Sequence, residues 1–169
     1  MSAALPIELR PLACEHAAAF CRLVIALAEF EKLVPPDEAA QARLVEDALG
    51  EKPRIEVWLA FVNEDAEPCG YMILVETYSS FLALPTLYLE DLFVLPERRK
   101  GGVGGALLKK VVRLAHERGC GRVEWTALDW NVNAQQVYER RIGAKRMSEW
   151  LLYRMTREDM QRLLDGETP

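Results

Sequence analysis

The sequence is poor in the residues that mark metal sites, disulfide scaffolds and membrane spans. Its 169 residues include only 4 cysteines and 2 histidines, and no two cysteines form a Cys-x-x-Cys pair. We therefore expect no metal site, and we expect a reducing, cytoplasmic location. No apolar run approaches transmembrane length, and the first residues lack the charged and apolar regions of a signal peptide. Neither a membrane partner nor secretion is expected.

An excess of positive charge is also missing. The 21 lysines and arginines are outnumbered by 26 aspartates and glutamates, which gives a formal net charge of −5. A general nucleic-acid binder is normally basic, so no nucleic-acid partner is expected, whereas a cationic co-substrate is compatible with this balance. With 50% hydrophobic residues the chain can bury a full core, and its length predicts one domain over residues 1–169.

The most informative segment is a glycine-rich turn between an apolar strand and a helical pattern. The strand is Leu87–Val94, and after Pro96 the chain continues Arg98-Arg99-Lys100-Gly101-Gly102-Val103-Gly104-Gly105. The first turn of a helix has unpaired N–H groups and a partial positive charge, which together favour a phosphate. A P-loop would need Lys-Ser or Lys-Thr where Ala106 follows, and a Rossmann fingerprint would need glycine where Leu107 stands. The alternative is an ordinary glycine-rich turn with solvated basic residues.

Hydrophobic periodicity and turn residues predict an α/β domain around one mixed sheet. Strands are predicted at residues 7–10, 55–62, 69–77, 86–95, 122–128 and 146–155. Helices are predicted at residues 14–32, 38–49 and 102–118, at about 131–141, and in a short tail that Thr156 and Asp159 cap. Residues 79–85 are predicted to be a loop.

Three blocks of this sequence resemble a known superfamily. They are Leu87–Val94, Arg99–Gly105, and Trp130-Asn131 with Val137–Ala144, and Leu27–Glu31 is a weaker likeness. Together they resemble the Gcn5-related N-acetyltransferases (GNAT), and within them the diamine (spermidine/spermine) N-acetyltransferases and their thialysine-acetylating relatives. The resemblance implies a single GNAT-like α/β domain whose mixed central sheet is flanked by helices. It also implies acetyl-CoA as co-substrate and a homodimer.

The resemblance assigns two segments and three single residues to the cofactor. The main chain of Leu92, Phe93 and Val94 is expected to pair with the amide-rich arm of acetyl-CoA as an added strand would. The diphosphate is expected on the N–H groups of Lys100, Gly101, Gly102, Val103, Gly104 and Gly105, with added charge from Arg99 and Lys100. Asn131, Ala134 and Arg141 also match family positions near the cofactor. For Asn131 the alternative is a helix N-cap, and for Arg141 it is a solvated cation.

Two residues are candidates for the chemistry of acetyl transfer to an amine. Glu90 and Asp91 are neighbours on a strand and should point to opposite faces, and the resemblance selects Glu90 as the carboxylate that holds the amine and accepts its proton. Asp91 is then either structural or supports the site through a neighbouring residue. Tyr138 matches the tyrosine that protonates the leaving sulfur, a task that suits a phenol with its ordinary pKa of about 10. The alternatives are a solvated Glu90 and a packed Tyr138.

The acceptor end is expected to bind a small cationic amine. Phe30 and Glu31 match positions that line this end in relatives, and Glu149 and Trp150 on the predicted last strand are further candidates, with a core or surface position as the alternative. The polyamine enzymes carry an acid and a tryptophan in the loop that corresponds to Tyr78–Pro85. Here the loop has no acid and no tryptophan, and the aromatic residue in its interior is Phe81, so a diamine or a lysine-like amino acid fits as well as a polyamine.

Two other functions share parts of this pattern. Transfer to the N-terminus or lysine of a peptide would use the same cofactor residues. A non-catalytic acyl-CoA-binding domain would need Arg99–Gly105 but neither Glu90 nor Tyr138, and the presence of both disfavours it.

Overall fold

The computed structural model describes residues 6–63 and 65–166. The chain divides into two compact units, Met1–Thr126 and Ala127–Pro169. The first unit contains β1 (Ile7–Pro11), a 3₁₀ helix (Cys14–His16), α1 (Ala17–Phe30), α2 (Glu38–Leu49), β2 (Glu56–Val62), β3 (Gly70–Ser79), β4 (Leu84–Val94), a 3₁₀ helix (Pro96–Arg98), α3 (Val103–Glu117) and β5 (Arg122–Glu124). The second contains α4 (Val132–Gln136), a π-helix (Val137–Ile142) and α5 (Arg157–Leu164).

The first unit is built on one mixed sheet, as predicted. Its strands lie in the order β1-β2-β3-β4-β5. The pairings from β1 to β4 are antiparallel, and β5 is parallel to β4. Such a parallel neighbour requires a crossover connection, which α3 supplies. The predicted fold class, an α/β domain with a mixed sheet and flanking helices, is confirmed.

Helices α1 and α3 cover opposite faces of this sheet. Phe20 and Leu23 of α1 join the core cluster that alternate residues of β2 and β3 form. On the other face, the ammonium of Lys110 in α3 lies 3.9 Å from the ring centre of Trp58. The predicted apolar stripe of α3 is buried; it consists of Val103, Leu107, Val111 and Leu114. Burying this stripe fixes the helix, and with it the glycine-rich turn, against the sheet.

Strand β4 contains a β-bulge. Leu89 is paired with Leu74 of β3, whereas Asp91 is paired with Ile73. Glu90 is therefore an extra residue with no paired residue on β3. Because Leu74 and Ile73 are neighbours on β3 and face opposite sides, Leu89 and Asp91 also face opposite sides of the sheet. The side chains of a regular strand alternate between the two faces of the sheet, and Glu90 and Asp91 were expected to point to opposite faces for this reason. The bulge interrupts that alternation at Glu90.

The predicted helix caps are present. The Asp37 side chain accepts a hydrogen bond from the Ala40 N–H at the start of α2. Thr156 and Asp159 form a reciprocal capping box at the start of α5. These caps satisfy backbone donors that a helix leaves free at its first turn, which is why the short polar residues mark the helix starts in the sequence.

Three predicted elements are wrong in extent or kind. Residues 146–155 form no strand and are irregular, and β5 ends at Glu124 instead of reaching residue 128. The predicted loop at 79–85 is a tighter hairpin, because Ser79 pairs with Leu84 and Tyr78 with Pro85. A segment with high β-propensity forms a strand only where a neighbouring strand can pair with it, so an apolar segment alone does not define a strand.

None of the helices within residues 6–63 and 65–166 is long and apolar enough to cross a membrane.

Candidate active site

The glycine-rich turn ends in a helix N-terminus with free backbone donors. The first bond within α3 runs from the Ala106 N–H to the Gly102 carbonyl at 2.9 Å. The N–H groups of Val103, Gly104 and Gly105 therefore precede any acceptor within the helix, and no side chain caps them. These three donors, with the positive end of the helix dipole, form a site for an anion.

The glycines of the turn serve different purposes. Gly102 has φ of +92°, a left-handed conformation that favours glycine. Gly105 has no such conformation, and a Cβ placed on it would meet no heavy atom within 4 Å. At Gly104 a Cβ would touch only the Val94 side chain, at 3.9 Å. The fold itself therefore does not require glycine at 104 or 105, whereas a ligand lying close to the main chain would.

The three basic residues before the glycines are held in different ways. Arg98 forms an ion pair with Asp65 at 2.9 Å. The Arg99 Nε donates a hydrogen bond to the Val94 carbonyl at 2.9 Å. Lys100 is exposed and has a positive φ of 65°, which is uncommon for a residue with a side chain. Of the three, Lys100 is the cation without an ion pair or hydrogen bond in the described part of the chain, and it lies next to the glycine donors.

Arg99 of the glycine-rich turn contacts residues at the expected acceptor end. Its guanidinium carbon lies 4.5 Å from the ring centre of Phe30 and 5.5 Å from that of Phe93. The two rings are themselves 6.3 Å apart. A cation over aromatic faces is attracted to them and is fixed in place when one of its N–H groups also binds a carbonyl. The structure thus brings together three predicted site residues, one from α1, one from β4 and one from the loop.

One edge of β4 is open along the residues expected to bind the cofactor arm. Pairing with β3 extends from Leu84 to Val94, but pairing with β5 covers only Thr86 to Tyr88. Within the described residues no strand pairs with the second edge of β4 from residue 89 onward, which includes Leu92, Phe93 and Val94. An open edge next to a paired one accepts an extended, amide-containing ligand through main-chain hydrogen bonds. Edge and helix N-terminus together fit acetyl-CoA, whose arm carries amides and ends in a diphosphate.

Three carboxylates lie near this edge. Glu90 is exposed on β4, Glu31 is partly buried at the C-terminal end of α1, and Asp91 is partly buried beside them. The pKa of Asp91 is raised to about 6: burial is the main cause, the Tyr71 hydrogen bond opposes it, and the negative charges of Glu90 and Glu31 add to it. Burial also raises the pKa of Glu31.

The partner of Asp91 is a buried tyrosine that the sequence interpretation did not single out. The Tyr71 hydroxyl donates a hydrogen bond to Asp91 Oδ2 at 3.0 Å, and Tyr71 is fully buried. The signal that could have pointed to such a pair is a tyrosine at the start of the apolar run 71–75, since a buried hydroxyl needs a partner. Within the described ranges no group of His, Cys, Asp and Glu side chains is arranged to hold a metal ion.

The second unit contains four of the predicted site residues near its first helices. Asn131 is the N-cap of α4, and its side chain accepts a hydrogen bond from the Ala134 N–H at 3.3 Å. Tyr138 and Arg141 lie on the π-helix, a form found frequently at functional sites. Burial raises the pKa of Tyr138, so its phenol stays protonated and able to donate a proton. Arg141 is exposed.

The remaining two candidates do not lie on a strand. Glu149 and Trp150 are exposed in the irregular segment after the π-helix, and the Trp150 N–H donates to the Met147 carbonyl in a turn. Trp150 is 71% exposed. The placement on a last strand, from which both residues were selected, is therefore wrong.

Known proteins resemble this chain in sequence and in structure. Residues 22–144 match the model of the Acetyltransferase (GNAT) family. An L-ornithine N5-acetyltransferase of Arabidopsis thaliana is 40% identical over 111 residues, which are 66% of this chain and 48% of the relative. The chain therefore spans about half the length of that relative.

Two other similarities extend over most of this chain and most of the matched protein. A thialysine N-epsilon-acetyltransferase of Bos taurus is 34% identical over 151 residues, covering 84% of this chain and 88% of the relative. A solved structure described as a probable acetyltransferase matches with a TM-score of 0.77 and 25% identity, covering 88% of this chain and 97% of that one. The family model and the three proteins described above are each named for acetyl transfer.

Proposed function

The chain belongs to the acetyltransferase (GNAT) family, and from this we propose that it moves an acetyl group from acetyl-CoA to the primary amine of a small cationic substrate. The amine attacks directly while both substrates are bound. The observation that carries this proposal is the α3 N-terminus, where three N–H groups that have no acceptor among the described residues follow a strand with one open edge. The relatives support the acceptor class, since they are named for acetylation of ornithine and thialysine.

Acetyl-CoA would be held by the main chain more than by side chains. The N–H groups of residues 100–105 receive the diphosphate, with Lys100 contributing charge, and the edge at Leu92, Phe93 and Val94 pairs with the arm. The Val94 carbonyl already accepts a bond from Arg99, so on this edge Arg99 orders the strand end. When bound, acetyl-CoA supplies an activated thioester carbonyl. Asn131, Ala134 and Arg141 are proposed as further cofactor contacts.

Two residues are proposed to handle the protons of the reaction. Glu90, exposed at the bulge of β4, attracts the cationic amine and accepts a proton from it, directly or through water. Tyr138 donates a proton to the departing sulfur. Its raised pKa supports the acid role, because a phenol must hold its proton until the sulfur takes it.

The acceptor is proposed to be a diamine or the side-chain amine of a lysine-like amino acid. Phe30 and Glu31 are the proposed contacts, and their position beside Arg99 and Asp91 supports this. Glu149 and Trp150 lose their support as acceptor contacts, because both were selected for a last strand that residues 146–155 do not form. A long polyamine is less well supported, because the hairpin between Ser79 and Leu84 carries no acidic residue that would bind a distant ammonium.

We also propose how the protein works as a whole. Residues 1–169 act as one N-acetyltransferase domain, which the family match supports because residues 22–144 run from the first compact unit into the second. The four cysteines are free thiols, which supports a reducing, cytoplasmic location. A homodimer follows from the resemblance, and the net charge of −5 supports the absence of a nucleic-acid partner.

A thiol-release screen tests the function directly. Purified protein with acetyl-CoA is offered diamines, polyamines, ornithine, lysine, thialysine and short lysine peptides, and free CoA is measured with a thiol reagent. We expect release with diamines or amino-acid amines and only slow release without an acceptor. Release with peptides alone would favour the protein-acetylating alternative. Tight acetyl-CoA binding without release for any amine would favour the non-catalytic domain.

A further inference from the structure

The bulge in β4 creates a choice between two strand registers. If β4 continued without the extra residue after the Leu89–Leu74 pair, Glu90 would oppose Ile73 and Asp91 would oppose Met72. Met72 is fully buried on the face that α3 covers, so the Asp91 carboxylate would enter an apolar core. With the bulge, Asp91 faces the same side as Phe93 and Tyr71 instead.

Only the bulged register allows Asp91 to meet the Tyr71 hydroxyl. Tyr71 is locked in the core by an edge-on contact with Phe20, at 5.4 Å between ring centres, and a tilted contact with Phe93 at 6.4 Å. Its hydroxyl is therefore fixed, and the 3.0 Å bond to Asp91 Oδ2 links β3 and β4 at the residue that follows the bulge. A fixed donor bound to the residue after Glu90 restrains the main chain at Glu90.

We propose that Tyr71 and Asp91 form a positioning pair, which holds the β4 bulge and thereby sets the direction of Glu90 toward the acceptor amine. This inference rests on the proposed function for the role of Glu90. Neither residue needs to touch the substrate. The Tyr71–Asp91 hydrogen bond selects the register between β3 and β4, and this register sets the position of the Glu90 carboxylate. A bulge beside an active site is a common means of redirecting a side chain.

The charges around the pair agree with a structural hydrogen bond. Asp91 is influenced by Glu90 on its own strand, by Tyr71 on β3 and by Glu31 at the end of α1, and no cation is paired with it in the described residues. The Tyr71 bond is thus the stabilising contact that opposes burial of this carboxylate. Removing the hydroxyl should raise the pKa of Asp91 further.

Four variants separate positioning from direct contact with the substrate. Tyr71→Phe removes only the hydroxyl, Asp91→Ala removes the acceptor, and Asp91→Asn keeps an acceptor oxygen without the charge. Tyr88→Phe is the control: Tyr88 lies on β4, as Asp91 does, and its hydroxyl forms no hydrogen bond within the described residues. We expect Tyr71→Phe and Asp91→Ala to lower kcat/KM for the amine about tenfold or more. Asp91→Asn should recover to within about threefold of wild type, and Tyr88→Phe should equal it.

Two further measurements make the test independent of stability and of the proposed function. The Kd for acetyl-CoA should be unchanged in all four variants, and Leu23→Val, which loosens the same core without touching the pair, should keep wild-type kcat/KM. A carbon-13 NMR titration of the aspartate carboxyls should show the Asp91 pKa rising in Tyr71→Phe. If the wild type acetylates no amine, the proposed function fails while this titration still reports on the pair.

Two results would overturn the inference. One is a folded Tyr71→Phe variant with wild-type kcat/KM and an unchanged Asp91 titration. The other is an Asp91→Asn variant as impaired as Asp91→Ala, which would show that the charge itself binds the amine.

Discussion

Replacing Gly105 by alanine should make the protein more stable and less able to bind acetyl-CoA. A Cβ at Gly105 would meet no heavy atom within 4 Å, and the residue is the third of α3, with its N–H free of any intrahelical acceptor. The protein therefore accommodates the methyl group. A diphosphate resting on the main chain of residues 103–105 would not, because glycine allows the closest approach there.

The two expected effects differ in sign and can be sized. Alanine favours a helix over glycine by up to about 1 kcal/mol in the interior, and about half of that is expected in the first turn. For a chain of this length, about 0.5 kcal/mol raises Tm by about 1–2 °C. Losing one charge-assisted hydrogen bond to a phosphate costs about 1.5–3 kcal/mol, which weakens the Kd about 10- to 150-fold.

Thermal denaturation and calorimetric titration with acetyl-CoA measure both effects on the same samples. Val112→Ala is the matched control, since Val112 is 50% exposed on α3 and alanine there also favours the helix. It should raise Tm slightly and leave the Kd unchanged. Gly104→Ala should resemble Gly105→Ala, because its Cβ would make only an ordinary van der Waals contact with the Val94 side chain, at 3.9 Å.

Wild-type affinity in a folded Gly105→Ala variant would refute the reasoning, because the space beside Gly105 would then have no role in binding. A clear fall in Tm would refute it differently, by showing that the fold needs glycine at this position.

Three further changes test other parts of the site. Tyr138→Phe should lower kcat about 100-fold or more while the Kd for acetyl-CoA stays within about twofold of wild type. A Kd that weakens in step with kcat would contradict the acid role. Tyr153→Phe, at an exposed tyrosine, is the control. Asp91 has a pKa raised from 3.8 to about 6, so its ionisation destabilises the fold progressively as pH rises from about 4 to 6. Asp91→Asn should therefore be more stable than wild type by up to about 3 kcal/mol at about pH 8 in urea unfolding, with the gap closing near pH 4; a constant gap would contradict this. Gly102→Ala should lose about 1–2 kcal/mol, since φ there is +92°; an unchanged Tm would show that the left-handed conformation is dispensable.

The parts of the fold that could be predicted from sequence are those governed by local signals. The start of α3 followed from glycine next to a 3.6-residue apolar stripe, and α2 and α5 followed from Asp37 and Thr156 at positions where short polar side chains cap a helix. Each signal acts over a few residues, so tertiary context does not reverse it.

The failures have the opposite character. Residues 146–155 contain the apolar run Trp150–Tyr153, but these side chains are exposed and the segment forms no strand, since a strand needs a partner that composition does not specify. The bulge at Glu90 was also invisible, because register depends on how two strands meet. The Tyr71–Asp91 bond follows from that register. The sequence therefore predicts for Asp91 a structural or indirectly supporting role without identifying its partner, and Tyr71 was overlooked.

The measurement that tests the account most directly is calorimetry on the intact protein with CoA, dephospho-CoA and pantetheine. The diphosphate is present in the first two compounds and absent from the third. If the N–H groups at the start of α3 hold the diphosphate, CoA and dephospho-CoA should both bind with Kd in the range of about 1–100 µM, and pantetheine should give no measurable binding. Equal affinity for pantetheine and CoA, or no binding of CoA at millimolar concentration, would contradict this.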